Sequence, residues 1–477
     1  MTEREKELHA EAWKEAEKLK NTVEKDPYRQ QYHLMPPSGL LNDPNGWIQW
    51  QGTYHLFFQW NPYRPDHQHK FWGHYTSADL VGWQLEPIAL APSEWYEKNG
   101  CYSGSSIDLN GKLALLYTGN VKDENNNRES YQCLAVSENG IDFEKKGPVV
   151  DELPEGYTAH FRDPKVWKEN GSYYFVIGAQ TENLEGEVLL YRSEDFHTWE
   201  CLGPIAGAQR NGLGRFGYMW ECPDYFRLGS TDVLIVSPQG LDREEMKYEN
   251  TYQAGYFLGN ADLQKVDFQH GEFHELDEGF EFYAPQTTED EHGRRILIGW
   301  MGVPDSDEEY QPTVKEGWVH CMTIPRELHS DGTIITQSPV KELEELREGT
   351  PLEMRIALSF GAEAVVTPAS EIILDTKEAG DFQLKLRDEA ELSYNGADQI
   401  LTLSRPRFRD GEKETRKCRV DRLEELRLYL DSSSLEVFIN QGEKVMTARY
   451  FPEQHANTVK VSGADGSLTW KSWELKS

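Results

Sequence analysis

Three short acidic motifs recur along the chain, each beside a proline: Asn42-Asp43-Pro44-Asn45-Gly46, Arg162-Asp163-Pro164 and Glu221-Cys222-Pro223-Asp224. Each stands a similar distance ahead of an apolar triplet, Asp43 before Leu56, Asp163 before Phe175 and Glu221 before Leu234. One Asp-Pro alone is an ordinary turn former; three in register across a repeat call for another reason. A proline holds the residue before it extended, which fixes where that residue's side chain points. Converging carboxylates without metal-ligand spacing suit glycoside hydrolysis. One attacks the anomeric carbon while a protonated one donates to the leaving oxygen. A third anion binds sugar hydroxyls, steadies positive charge developing in the ring, and disfavours ionisation of its neighbours. Arg162 is expected to relieve that crowding by pairing with Asp163.

The elements that position these groups follow from a repeat. Apolar triplets begin at Leu56, Leu115, Phe175, Leu234 and Ile296, separated by 59, 60, 59 and 62 residues. A second element follows in register at Ser77-Ala78-Asp79, Ser137-Glu138-Asn139 and Ser193-Glu194-Asp195, with a degenerate copy at Asn260-Ala261-Asp262. A long fixed period with several strands per unit is the mark of a β-propeller. Five copies predict five blades, with the triplets as inner strands buried between neighbours. Equivalent positions in successive blades lie at equivalent radii, so the three carboxylates should meet at one end of the central channel. The rival reading is a β-sandwich with coincidental spacing.

Ahead of the repeat, Leu8, Ala12, Ala16, Leu19 and Val23 form a helical stripe that Asp26-Pro27 ends. Beyond Gln337 the repeat stops. Ser338-Pro339 reads as the start of a short linker helix, and later strands join through a turn at Asn440. The expected architecture is all-β: an N-terminal helix over 1–27, a five-bladed β-propeller over 28–337, a linker helix over 338–350 and a β-sandwich over 351–477.

Composition narrows the function class. A formal net charge of −33 offers no basic footprint for nucleic acid and none for an anionic membrane. The six cysteines are dispersed without a C-x-x-C pair, which argues against a zinc site or disulfide framework and fits a reducing cytoplasm. The start, Met1-Thr2-Glu3-Arg4, is polar, so a signal peptide is not expected. The 14 Trp and 23 Tyr suit a partner with flat apolar faces, such as a sugar. No cofactor or metal is expected, and nothing in the sequence sets an oligomeric state.

The stretch His33-Leu34-Met35-Pro36-Pro37-Ser38-Gly39-Leu40-Leu41-Asn42-Asp43-Pro44-Asn45-Gly46 resembles the signature of glycoside hydrolase family 32, the β-fructosidases. Gln59-Trp60-Asn61-Pro62, Phe71-Trp72-Gly73-His74, Tyr102-Ser103-Gly104-Ser105, Phe161-Arg162-Asp163-Pro164 and Trp220-Glu221-Cys222-Pro223 resemble its other blocks. The resemblance spans about 28–475. It implies a five-bladed propeller, a β-sandwich, and retaining cleavage of a small sugar substrate (sucrose or sucrose 6-phosphate) at the fructosyl C2. By motif it makes Asp43 the nucleophile, Asp163 the transition-state stabiliser and Glu221 the acid/base. Leu40, Leu41, Asn42, Gln59, Tyr102, Ser103 and Arg162 are then expected against the sugar, with Trp72 and Trp300 as apolar walls. Tyr102 departs from the Trp or Phe common there and adds a hydroxyl.

His67, His69 and His74 read as one loop cluster with a poor metal signal. Cys222 reads as a small buried residue shaping the surroundings of Glu221. The loop Arg64–Lys70, with Arg64, His67, His69 and Lys70, is the candidate contact for a substrate phosphate. The competing functions are an exo-fructanase, a fructosyltransferase and a non-catalytic sugar-binding propeller.

Overall fold

The computed structural model describes residues 1–476. Thr2 caps the opening helix, Glu3–Val23, by accepting from the Glu5 amide at 3.2 Å. Leu8, Ala12 and Ala16 are buried in the same core as Leu41 and Trp60 of the first sheet, and Trp13 tilts against Trp60 at 5.4 Å.

Among the described residues, five antiparallel sheets of four or five strands then follow one another. Their first strands are Gly39–Trp50, Cys101–Leu109, Tyr157–Glu169, Met219–Leu228 and Tyr283–Glu289, and their second strands are Thr53–Asn61, Lys112–Lys122, Ser172–Thr181, Thr231–Gln239 and Arg295–Trp300. The first strands touch in chain order, and the fifth returns to the first, so the sheets form a closed ring. Trp318–Val319 pairs in parallel with Gly39 and Leu40, tying a late segment back onto the first sheet. The unit is a β-propeller.

The apolar triplets lie in the second strands, not the inner ones. A second strand is covered by neighbouring sheets on both faces, so it reads as continuous apolar sequence. The first strands, which meet one another around the ring, carry the acidic motifs instead.

The recurring Ser-x-Asp/Asn element is a turn from the third strand to the fourth. Ser77, Ser137 and Ser193 each accept two following backbone N–H groups through Oγ. Asp79, Asn139 and Asp195 each accept the next two at 2.7–3.0 Å. These side chains supply the hydrogen bonds that the turning backbone cannot make with itself.

The predicted linker helix is not an α-helix. Ser338 and Pro339 end the strand Ile335–Pro339, and a 3-10 segment follows over Lys341–Leu346, entered from Val340 without a side-chain cap. Arg347 already begins the next strand. Proline at the end of a strand needs no N–H partner, which makes Ser-Pro as good a strand end as a helix start. Two six-stranded sheets then pack as a β-sandwich around Leu384, Leu403, Leu428, Val437 and Trp470. The turn at Asn440 joins Ser434–Ile439 to Lys444–Arg449.

A buried ionic network joins propeller to sandwich. Arg326 binds Glu436 at 2.6 Å and Asp277 at 3.2 Å, and His33 spans Asp431 at 2.8 Å and Glu436 at 3.0 Å. Burial alone would lower the His33 imidazole, but the two carboxylates outweigh it and raise it to about 9. Among the described residues no helix is long and apolar enough to cross a membrane.

A raised imidazole stabilises the fold fully below its unfolded value of about 6.5, and the contribution is lost as pH rises through about 9. Thermal melts from pH 6 to 10 should show this loss, on the order of 2–3 kcal/mol. His33→Gln should start less stable and change little across that window. A variant with the same slope as the natural chain would show that His33 is not the titrating group.

Candidate active site

Every first strand carries the same irregularity. Against its second strand, three residues on the inner side span two on the outer, between Leu41 and Pro44, Cys101 and Gly104, Arg162 and Lys165, Glu221 and Asp224, and Tyr283 and Gln286. Such a bulge re-aims side chains. At the bulges stand Asp43, Ser103, Asp163, Cys222 and Ala284. Asp163, Cys222 and Ala284, each directly before a proline, are not extended as expected but adopt left-handed backbone, with φ of 70°, 48° and 47°. Non-glycine residues hold that conformation only where the surroundings over-determine it.

The bulges bring the three acids together. Cys222 Sγ lies 3.6 Å from Asp43 Oδ2 and 3.6 Å from Asp163 Oδ2, and the Cys222 amide donates to Asp163 Oδ2 at 3.0 Å. The thiol thus sits between two aspartates as well as beside Glu221, and burial followed by those charges holds it well above its usual pKa. A protonated thiol is no nucleophile.

Each acid has its own fixed partners. Asp43 accepts from Ser103 Oγ at 2.6 Å and Asn42 Nδ2 at 3.0 Å. Glu221 Oε1 accepts from Arg162 at 2.6 and 3.0 Å, and Oε2 from Tyr283 OH at 2.7 Å and Gln239 Nε2 at 2.9 Å. Arg162 therefore pairs with Glu221, not with Asp163 as expected. Asp163 is buried, and burial raises its carboxyl; Arg162 opposes this, while Glu221 and Asp43 reinforce it.

The expected sugar contacts divide. Asn42, Ser103 and Arg162 stand directly beside the acids. Tyr102 is half-buried next to Ser103, with the Arg128 guanidinium 5.6 Å from its ring. The Leu40 and Leu41 side chains, also expected against the sugar, are fully buried. The side chains of Gln59, Trp72 and Trp300 are covered too, at 2%, 0% and 1% exposure. Gln59 donates to the Cys101 carbonyl at 2.9 Å, and Trp72 to the Tyr102 carbonyl at 3.0 Å. Gln59 and Trp72 thus brace the strand that carries Tyr102 and Ser103. Sequence reasoning missed Tyr283 and Gln239. Tyr283 precedes Ile296 as Asp43 precedes Leu56, so the repeat pointed to it although its residue type did not.

The Arg64–Lys70 loop is also corrected. Lys70 is buried and donates to Asn42 Oδ1 at 2.5 Å, with His67 Nδ1 at 2.9 Å. Burial lowers its ammonium to about 8, against the pull of Asp43, Glu308 and Asp66. Arg64 pairs with Asp66 and Gln68. His74 lies within the strand Phe71–Ser77 against His55, apart from His67. His67 meets Glu308 at 2.9 Å, and Glu308 meets His320 at 2.7 Å. These ligand atoms lie within 4.8 Å of one another, close enough for a cation to bridge, and here they bind one another.

Two family models match the chain: the glycosyl hydrolases family 32 N-terminal domain over residues 33–339 and the family 32 C-terminal domain over 326–477. A sucrose-6-phosphate hydrolase of Bacillus subtilis (strain 168) is 52% identical over 468 residues, covering 97% of this chain and 98% of its own. The solved structure of sucrose-6-phosphate hydrolase from Lactobacillus gasseri superposes with a TM-score of 0.89 at 32% identity, covering 97% of this chain and 96% of that one. A family 32 beta-fructofuranosidase of Bombyx mori, solved as a mutant in complex with sucrose, superposes with a TM-score of 0.86 at 32% identity over 98% of both chains.

Lys70 holds Asn42, and Asn42 holds Asp43, so Lys70→Met should lower turnover about tenfold or more whatever the leaving group. In the natural chain the Lys70 charge is lost as pH rises through about 8. An alkaline fall in kcat/KM near that pH should therefore be absent from the variant. A loss confined to one leaving group would contradict this positioning role.

Proposed function

The chain belongs to glycosyl hydrolase family 32, and from that premise we propose that it is a retaining β-fructofuranosidase hydrolysing sucrose 6-phosphate and sucrose, with Asp43 as nucleophile, Glu221 as acid/base and Asp163 as stabiliser of the transition state. The ring of sheets is read as a five-bladed propeller with the substrate at one mouth of its channel. The observation that carries the reading is the meeting of Asp43, Asp163 and Glu221 around Cys222, each acid with different partners.

The geometry supports the following course. Ser103 and Asn42 orient the Asp43 carboxylate, which attacks the fructosyl C2. Glu221 gives a proton to the glycosidic oxygen, the C2–O bond breaks, and the hexose leaves. Arg162 fixes the Glu221 carboxyl through Oε1, and the proton to be transferred takes the place of one of the two donors on Oε2, Tyr283 or Gln239. Water then attacks C2 of the fructosyl ester while Glu221 takes its proton, releasing Asp43 and β-fructose. Asp163 accepts hydrogen bonds from ring hydroxyls, and its charge steadies the oxocarbenium character at C2. The dispersed, unpaired cysteines support a cytoplasmic setting.

Time-resolved NMR should show β-fructose as the first anomer, and Asp43→Ala should abolish its release. Glu221→Gln should lose about 10²-fold or more on sucrose and far less on a fructoside whose leaving group is an acidic phenol. The α-anomer appearing first would overturn the assignment of Asp43, and equal losses on both substrates the assignment of Glu221.

A further inference from the structure

The proposed substrate raises a charge problem. A phosphorylated sugar must approach a protein of net charge −33 and enter a pit holding three carboxylates. In the loop Arg64–Lys70, Arg64, His67 and Lys70 already have partners in Asp66, Gln68, Glu308 and Asn42.

Cations without carboxylate partners stand elsewhere on the rim. In the second sheet the hairpin Lys112–Lys122 and Arg128–Ser137 sets Lys122 opposite Arg128 at its tip. The nearby Asp123 carboxylate is taken up by the turn itself, accepting the Asn125 and Asn127 amides at 2.8 Å each. Neither Lys122 Nζ nor the Arg128 guanidinium has a hydrogen-bond or ion-pair partner among the described residues. Every other arginine there except the exposed Arg215 has at least one. Arg128 is half-buried, and its contact is the face of Tyr102. Arg128 is thus a half-buried cation with no carboxylate partner among the described residues.

Ser130 Oγ donates to the Ala159 carbonyl at 2.8 Å, fastening the hairpin to the strand that carries His160 and Arg162. Arg162 donates to His160 Nδ1 at 3.0 Å and, from its other nitrogens, to Glu221. Burial, then Arg162 and Arg128, lower His160 to about 4, so the ring is neutral at physiological pH. With Nδ1 accepting, its Nε2 carries a proton and can donate. Arg128 lies within electrostatic reach of Glu221 and Asp163, and His160 within reach of Lys122 and Glu221. In the proposed mechanism Glu221 protonates the leaving oxygen, so the leaving hexose lies on the Glu221 side.

We propose that Arg128, with Lys122 and His160, is a phosphate-recognising rim on the leaving-group side that sets the preference for a phosphorylated over a free disaccharide. This rests on the substrate reading given above. A guanidinium presents paired donors to phosphate oxygens, and the Tyr102 ring holds its plane.

The test compares kcat/KM on sucrose 6-phosphate and sucrose. Arg128→Gln should reduce the ratio of the two about 10- to 100-fold, through KM on the phosphorylated sugar, the scale of one or two charged hydrogen bonds. Arg128→Lys should keep part of the ratio, and added salt should erode it in the natural chain. Inhibition by glucose 6-phosphate should weaken in Arg128→Gln while inhibition by glucose does not. Residual sucrose turnover and the melting temperature report whether the variant is folded. Equal kcat/KM for both sugars in the natural chain would overturn the phosphate preference, and this site with it, while leaving the fructosidase reading intact; no fructose released from either sugar would overturn that reading. A preference that survives in Arg128→Gln would overturn the site alone.

Discussion

The ion pair between Arg162 and Glu221 makes the rest of this site possible. Three carboxylates converge within a few side chains of one another, in a protein already far from neutral. Like charges in a partly desolvated pit repel strongly. Arg162, at 8% exposure, is clamped by two hydrogen bonds to Glu221 and stands next in sequence to Asp163. Burial would weaken its charge, but the surrounding carboxylates more than compensate and keep it ionised. Asp163 takes the remaining stress: buried, it is held well above the ordinary aspartate range. The three acids thus differ in what holds them: Ser103 and Asn42 on Asp43, Arg162, Tyr283 and Gln239 on Glu221, and the Cys222 amide on Asp163.

Holding such a cluster requires stiffness. The ring supplies it, because each first strand is gripped by its own sheet and by the first strands on either side. The shared bulge then turns selected side chains into the channel from strands that otherwise alternate between two faces. Left-handed backbone at Asp163, Cys222 and Ala284 persists because these surroundings leave no alternative. The sandwich adds a further anchor. Arg326, His33, Asp277, Asp431 and Glu436 form a fully buried network across the two units, and apolar residues of both share one core. Breaking one member would strand buried charge, so the units are held in a fixed relation.

The fold class and the positions of the acids were legible because both are written locally. A period near sixty residues names the repeat, and carboxylates at one phase of a ring must lie at one radius. The serine-and-acid turns were visible as a second phase of the same repeat. Other features were not legible, for physical reasons. The all-apolar strand looks innermost in sequence, but the first strands are the ones that meet around the ring, and the next strand out is buried on both faces. Ser338-Pro339 fits a helix start and a strand end equally well, and the sheet partner at Arg326 and Glu327 decides.

Residue type and spacing alone therefore determined the all-β repeat and the phase of the three acidic motifs, since each follows from period along the chain. Tertiary structure decided who pairs with whom. Arg162 reaches Glu221 across two sheets rather than its neighbour Asp163. Lys70 turns inward to Asn42, while Arg128 has no ion-pair partner among the described residues and stands within electrostatic reach of Glu221 and Asp163. Tyr283 and Gln239 arrive from other strands to hold Glu221. Pairing depends on distances between side chains far apart in sequence, and those distances exist only once the ring has closed.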